Sequence, residues 1–149
     1  MHQLLKVSLL GAPQISLDDV PVTGFITRKA EALFFYLVVT GRVHRRSALA
    51  TLLWPDVPEQ RAKKNLRDLL PSLRRLVGDH LIITRDTVAF NQAAPYWVDI
   101  DVLQTNLKQI TTATSVEAIR TATNLYRGEF LEGFHVRDAP LFEEWLLVE

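Results

Sequence analysis

The chain has 149 residues, 48% of them hydrophobic, which is enough apolar material for a folded core and too much for a disordered tail. It contains no cysteine, which excludes disulfide scaffolds, thiol catalysis and thiolate metal sites and agrees with a cytoplasmic setting. The 17 basic and 17 acidic side chains cancel overall, but residues 1–98 carry 13 basic and 8 acidic residues, whereas residues 99–149 carry 4 and 9. Such a contrast indicates two parts with different partners. The longest apolar runs, Ala32 to Thr40 and Ala48 to Trp54, fall short of the roughly 20 residues of a membrane span, and no signal pattern opens the chain.

In chain order, Gln3 to Leu10, Gln14 to Leu17 and Val20 to Val22 read as short strands separated by Gly11-Ala12-Pro13 and an acidic turn at Asp18-Asp19. Thr27 is a good helix cap; Ala30, Leu33, Phe34, Leu37 and Val38 then recur at three and four, and Gly41 stops the pattern. A second helix spans about Arg45 to Trp54, ended by Pro55, and a third runs from near Pro58 to Gly78. His80 to Thr84 and Thr87 to Phe90 form a hairpin with Arg85-Asp86 at its turn. A boundary is expected near Tyr96 to Asp99, although Pro95-Tyr96-Trp97-Val98 is too apolar for a flexible linker. Beyond it, Leu103 to Ile110 and Ser115 to Tyr126 have helical periodicity, Arg127 to Phe134 reads as a loop with two glycines, and Leu141 to Glu149 opens a helix. That last helix is barely two turns long with Trp145, Leu146 and Leu147 unpaired, as if the chain were the start of a longer one.

Function concentrates on the third helix. Ala62, Leu66, Leu69, Leu70, Leu73, Leu76 and Val77 make one apolar stripe, and the opposite face carries Arg61, Lys63, Lys64, Arg67, Arg74 and Arg75 with Asn65. From Arg42 to Arg75 there are 9 basic and 3 acidic residues. A helix of this kind fits the DNA major groove, where lysine and arginine neutralise phosphates and arginine or asparagine can read base edges. A basic helix face is also what simple solvation produces. Two features favour DNA: a supporting helix that begins at Arg45, and a hairpin with Arg85 at its tip, suited to a minor-groove or phosphate contact. Three helices followed by a hairpin is the order of a winged helix-turn-helix.

The remaining candidates have structural readings. Trp54 reads as a packing residue and Trp97 and Trp145 as core or inter-subdomain contacts. His2, His44, His80 and His135 show no metal-ligand spacing, so neither a metal nor a cofactor is expected; His44 beside Arg45-Arg46 could touch a phosphate or start a helix. Glu129, Glu132 and the pair Glu143-Glu144 lie on a loop and a solvated helix start with no partner histidine, nucleophile or phosphate loop, so no enzyme is expected.

Thr27-Arg28-Lys29-Ala30, Arg46, Leu52-Leu53-Trp54-Pro55-Asp56, Asn65-Leu66-Arg67 and Leu73-Arg74-Arg75-Leu76 together resemble the N-terminal domain of SARP-type bacterial transcriptional activators, with its OmpR-type winged helix. Val98-Asp99, Leu125-Tyr126-Arg127-Gly128-Glu129-Phe130-Leu131, Phe134, Asp138-Ala139 and Glu144-Trp145 resemble the opening of the bacterial transcriptional activator domain. The resemblance implies an α+β chain: a winged-helix DNA-binding domain with a small N-terminal antiparallel sheet over residues 1–97, then tetratricopeptide-like helices over residues 98–149. It implies a sequence-specific activator that pairs on repeated half-sites in double-stranded DNA. Lys63, Lys64, Arg67 and Arg61 would enter the major groove and Arg85 the minor groove, with Arg45 and Arg74 beside them, while the turn holding Asp56, Glu59 and Gln60 would contact RNA polymerase. Two departures stand out: Pro71 lies inside the third helix, where it should bend the axis, and the hairpin has Thr87-Val88-Ala89-Phe90 where a Gly-Tyr pair is usual. The competing reading keeps the winged helix as a scaffold and gives the acidic half to a partner protein.

Overall fold

A computed structural model describes residues 3–112 and 116–148. His2, Ser115 and Glu149, named above, lie outside them. The described residues form seven short strands and six α-helices in the order β1 (Leu5–Ser8), β2 (Gln14–Leu17), β3 (Val20–Pro21), α1 (Arg28–Thr40), β4 (His44–Arg45), α2 (Arg46–Leu53), α3 (Glu59–Val77), β5 (Leu81–Ile83), β6 (Thr87–Phe90), β7 (Tyr96–Val98), α4 (Asp99–Thr112), α5 (Val116–Leu125) and α6 (Pro140–Val148). Every helix and hairpin expected from the sequence is present. Two strands are additional: β4, two residues long, and β7, three.

Two compact units divide the chain differently from a cut at 97/98, since each is assembled from two stretches. The first contains residues 3–22 and 95–134. Its sheet has the order β3-β2-β1-β7, antiparallel except that β7 runs parallel to β1, with Leu5 opposite Tyr96 and Val7 opposite Val98. The apolar stretch around Trp97 is therefore an edge strand, which explains its composition. Asp18 and Asp19, both at positive φ, make the two-residue turn between β2 and β3, a backbone geometry that aspartate tolerates and that suits a tight hairpin. The segment read as a loop is ordered by pairing: Gly11 donates its N–H to Glu129 O at 2.8 Å and Leu131 donates to Leu9 O at 2.7 Å. A Cβ on Gly128 would lie 3.0 Å from Gly11 Cα, so the backbones meet there only without side chains. Helices α4 and α5 pack together as a pair in this unit.

Asp99, at the start of α4, is buried, and its carboxylate accepts the backbone N–H of Leu9 and of Leu10, all at 2.9 Å. These donors extend past the end of β1, where the strand ladder no longer satisfies them. A buried charge is tolerable when hydrogen bonds replace its water.

The second unit contains residues 23–94 and 135–149. Thr27 caps α1 by accepting the N–H of Ala30 at 3.1 Å, and Gly41 ends the helix in the left-handed region with φ 62°, as the sequence implied. Leu33, Phe34, Leu37, Leu53, Leu66 and Leu73 are fully buried and make the core of the three helices. Each such side chain contributes about 1.5–3 kcal/mol through burial. Helix α3 is continuous across Pro71, which lies on the exposed side, where water can reach the Arg67 carbonyl that loses its helical donor. A second sheet, β4-β6-β5, closes the unit: β5 and β6 are the hairpin, with Ile83 opposite Val88, and β4 adds His44 opposite Val88 and Arg45 opposite Thr87. Trp145 is packed, not unpaired: its ring lies edge-on to Tyr36 at 4.9 Å and 5.4 Å from Phe142.

A candidate nucleic-acid groove

The amphipathic pattern of α3 turns Ala62, Leu66, Leu69, Leu70 and Leu73 to the core, which forces Lys63, Lys64 and Arg67 outward. The exposed face forms one wall of a groove of about 660 Å³. Gln60, Lys63, Lys64 and Arg67 come from α3, Arg45, Arg46 and Ser47 from the start of α2, and Arg85, Asp86 and Thr87 from the hairpin tip. Three stretches far apart in sequence thus bring six cations and one carboxylate together. Like charges at this density repel over the ~8–10 Å of the Debye length, and a polyanion relieves that repulsion.

The backbone adds to the field. Arg45 occupies the cap position of α2 without a side-chain hydrogen bond, and the first helical N–H, of Arg46, is taken by the Asp86 carbonyl at 2.9 Å, which leaves the positive end of the helix dipole at the groove wall. Two exposed neighbours temper the α3 cations: Glu59 Oε1 is 3.2 Å from Lys63 Nζ, and Asp68 Oδ1 is 3.9 Å from Arg67 Nε. Exposed pairs of this kind are worth ~0–1 kcal/mol and exchange readily for a phosphate partner. Lys64 and Arg85 have no ion pair among the described contacts.

Of the residues expected at a DNA interface, the groove gathers Arg45, Lys63, Lys64, Arg67 and Arg85. Arg61 and Arg74 are exposed but line no part of it; of the residues expected in a turn before α3, Glu59 and Gln60 instead form the first turn of the helix, and only Gln60 reaches the groove, Asp56 and Glu59 remaining exposed outside it. His44 does not face a phosphate. It is buried, its Nε2 lies 2.7 Å from Thr40 Oγ1 and its ring 5.0 Å from Tyr36. Burial, and then the charge of Arg42, hold this imidazole below the usual histidine range. Glu143 also departs from a solvated reading: Val136 donates its N–H to Oε1 at 2.6 Å, and His135 Nδ1 lies 3.6 Å from Oε2. Trp54 is half-buried with Lys29 Nζ 5.2 Å from its ring centre, a packing and cation–π role. Burial lowers that lysine's affinity for its proton, opposed by Asp138 and Asp56.

Arg46, part of the resemblance but not among the DNA contacts expected from it, also lines the groove. Its Nη2 donates to the carbonyl of Thr84 at 2.6 Å, its backbone N–H donates to the carbonyl of Asp86 at 2.9 Å, and its Nε is buried without a hydrogen-bond partner. An unsatisfied buried donor ordinarily costs about 1–3 kcal/mol, so the remaining contacts of this side chain outweigh a real penalty. The signal available was weak: an arginine just inside a helix start, with nothing local to pair it.

The fold and the groove define a winged helix with a basic face formed by α2, α3 and the hairpin. Among solved structures, that of Mycobacterium tuberculosis EmbR in complex with a low-affinity phosphopeptide is similar over 98% of this chain, with a TM-score of 0.72 and 22% identity. The chain spans 41% of the length of that protein. The likeness supports the α+β winged-helix architecture expected from the sequence. No protein-family model matches the chain, and no curated protein matches it. No described helix is long and apolar enough to cross a membrane, and no group of three or more His, Asp or Glu gathers as a metal site among the described residues.

Proposed function

We propose that the chain is the DNA-binding portion of a SARP-type transcriptional activator working in the bacterial cytoplasm, and not an enzyme. The observation that carries this reading is the groove: six cations from three separate stretches converge on it. In this reading α3 enters the major groove, with Arg67 at base edges and Lys63 and Lys64 on phosphates, while Arg85 at the hairpin tip reaches the adjacent minor groove and Arg45 a flanking phosphate. Arg61 and Arg74 lie outside the groove and act as peripheral charges. The segment from Asp56 through Glu59 and Gln60 in the first turn of α3 presents a polar surface for RNA polymerase. Residues 1–97 then carry the DNA-binding domain, and residues 98–149 open the helical-repeat activator domain.

One helix and one hairpin contact too few bases for high specificity, so two copies pair on repeated half-sites. The test is selection of binding duplexes from a random pool, followed by binding to one or two copies of the recovered half-site. The reading expects a recovered direct or inverted repeat, tighter and cooperative binding to two copies, and a protein that is monomeric or weakly associating off DNA. A pool that yields no enriched sequence, with no affinity for duplex DNA, makes the protein-interaction module the better account.

A further inference from the structure

We propose that Arg46 is a positioning residue that fixes the hairpin tip, and with it Arg85, relative to the α3 face. This rests on the reading of the groove as a DNA site. The hairpin turn holds two residues, Arg85 and Asp86, between Thr84 and Thr87. Its base is closed by Thr84 N–H to Thr87 O at 2.9 Å, by Thr87 N–H to Thr84 Oγ1 at 3.0 Å, and by the 2.6 Å contact of the two hydroxyls. Those bonds set the shape of the turn but do not attach it to any helix. The β4–β6 pairing brings the hairpin to the start of α2 as far as Arg45 opposite Thr87, and Arg46 carries the attachment to both sides of Arg85, since its side chain holds the Thr84 carbonyl and its backbone N–H holds the Asp86 carbonyl. A basic tip anchored at both flanking residues keeps a fixed spacing from Lys64 and Arg67. An unanchored tip would spend binding free energy on ordering.

The orphaned Nε supports this role over a direct contact with DNA. It is sealed from solvent, and Nη2 is committed to the Thr84 carbonyl, so much of the guanidinium is turned into the protein. Its charge still adds to the groove potential, but its geometry is that of a brace.

Amide hydrogen exchange in the DNA-free protein tests the brace independently of any DNA. Arg46→Met removes the donors and keeps the apolar stem, whereas Arg46→Lys retains a donor able to reach a carbonyl. In Arg46→Met the amides of residues 46, 84 and 87 should exchange about tenfold faster while those of α1 and α3 stay within about twofold, and Arg46→Lys should recover most of the protection. If Arg46→Met does not fold, Arg46→Leu, which also lacks a donor, carries the same comparison. Unchanged exchange at the tip, or equal acceleration throughout the protein in both variants, overturns the proposal. On duplex DNA, Arg85→Ala should weaken binding about fivefold in the parent and hardly at all in the Arg46→Met background, because an unplaced tip has little contact to lose. Additive losses mean that Arg46 touches DNA itself and also overturn the brace. If neither protein binds duplex DNA, the DNA reading fails, and the exchange result alone decides the role of Arg46.

Discussion

The carboxylate of Asp99 in the first unit and the cations of the α3 groove in the second are charged groups handled in opposite ways. Asp99 is buried, and backbone N–H groups that have no other partner replace its hydration. Five of the six groove cations are exposed, Arg46 being the exception, and the groove holds one acid. A charge satisfied from within the fold holds the architecture together, whereas charges that the fold gathers without neutralising are available to something outside it. Mutations should therefore separate stability from binding along this line.

The largest effect is expected at the buried carboxylate. Asp99→Asn puts an amide where two backbone donors require acceptors, and should cost roughly 2–3 kcal/mol of stability. Urea unfolding should show a lower midpoint with an unchanged slope. A loss under about 0.5 kcal/mol would remove Asp99 from the architectural side of the comparison.

Next in size are the groove cations, where stability should be nearly indifferent. Arg67→Ala should cost roughly 1–3 kcal/mol on the preferred duplex and little on random DNA. Lys64→Ala should weaken both alike and flatten the salt slope by about one unit. Arg61→Ala and Arg74→Ala, outside the groove, should change affinity by less than about 0.5 kcal/mol. Titrations of one specific and one random duplex against the four variants sharpen the boundary between groove and periphery. Equal losses at all four positions would mean that α3 acts only as an undirected basic surface.

A smaller effect concerns His44, a polar group that sits on the architectural side although its basic neighbours suggested otherwise. Its imidazole is held below the ordinary value of 6.5 in the folded protein, so near that pH the unfolded chain binds the proton more readily. Its contribution is complete above the unfolded value and is lost as pH falls through it. Glu31 and Asp101, both raised chiefly by burial, act in the opposite sense at lower pH, which leaves about pH 5.5–7 as the clean window. The urea midpoint of the parent should drop on acidification across this window, and that of His44→Gln should be flatter. Identical pH profiles would show that His44 titrates freely.

Legibility in the sequence followed the range of the interactions. The ends of α1 were readable because Thr27 and Gly41 act on backbone within one turn, and the basic face of α3 because its apolar stripe repeats over 19 residues. Strands β4 and β7 were not, since two or three residues show no period and β7 is defined by partners some 90 positions away at Leu5 to Val7. The same holds within the groove. Lys63, Lys64 and Arg67 could be placed by helical geometry alone, while the role of Arg46 depends on carbonyls 38 and 40 positions later. Asp99 could be read only as part of a boundary and a family motif, because nothing nearby in sequence reveals that the end of β1 lies against it.

The most direct test of the groove as a DNA site is the dependence of duplex affinity on salt in the parent chain and in the combined Lys63→Ala, Lys64→Ala, Arg67→Ala variant. With the five groove cations other than Arg46 at the interface, the logarithm of affinity should fall against the logarithm of salt concentration with a slope of about −4 to −5, and the triple variant should flatten it by about 2–3 units. A slope shallower than about −1, or one that the triple substitution leaves unchanged, would contradict the assignment of DNA to this groove.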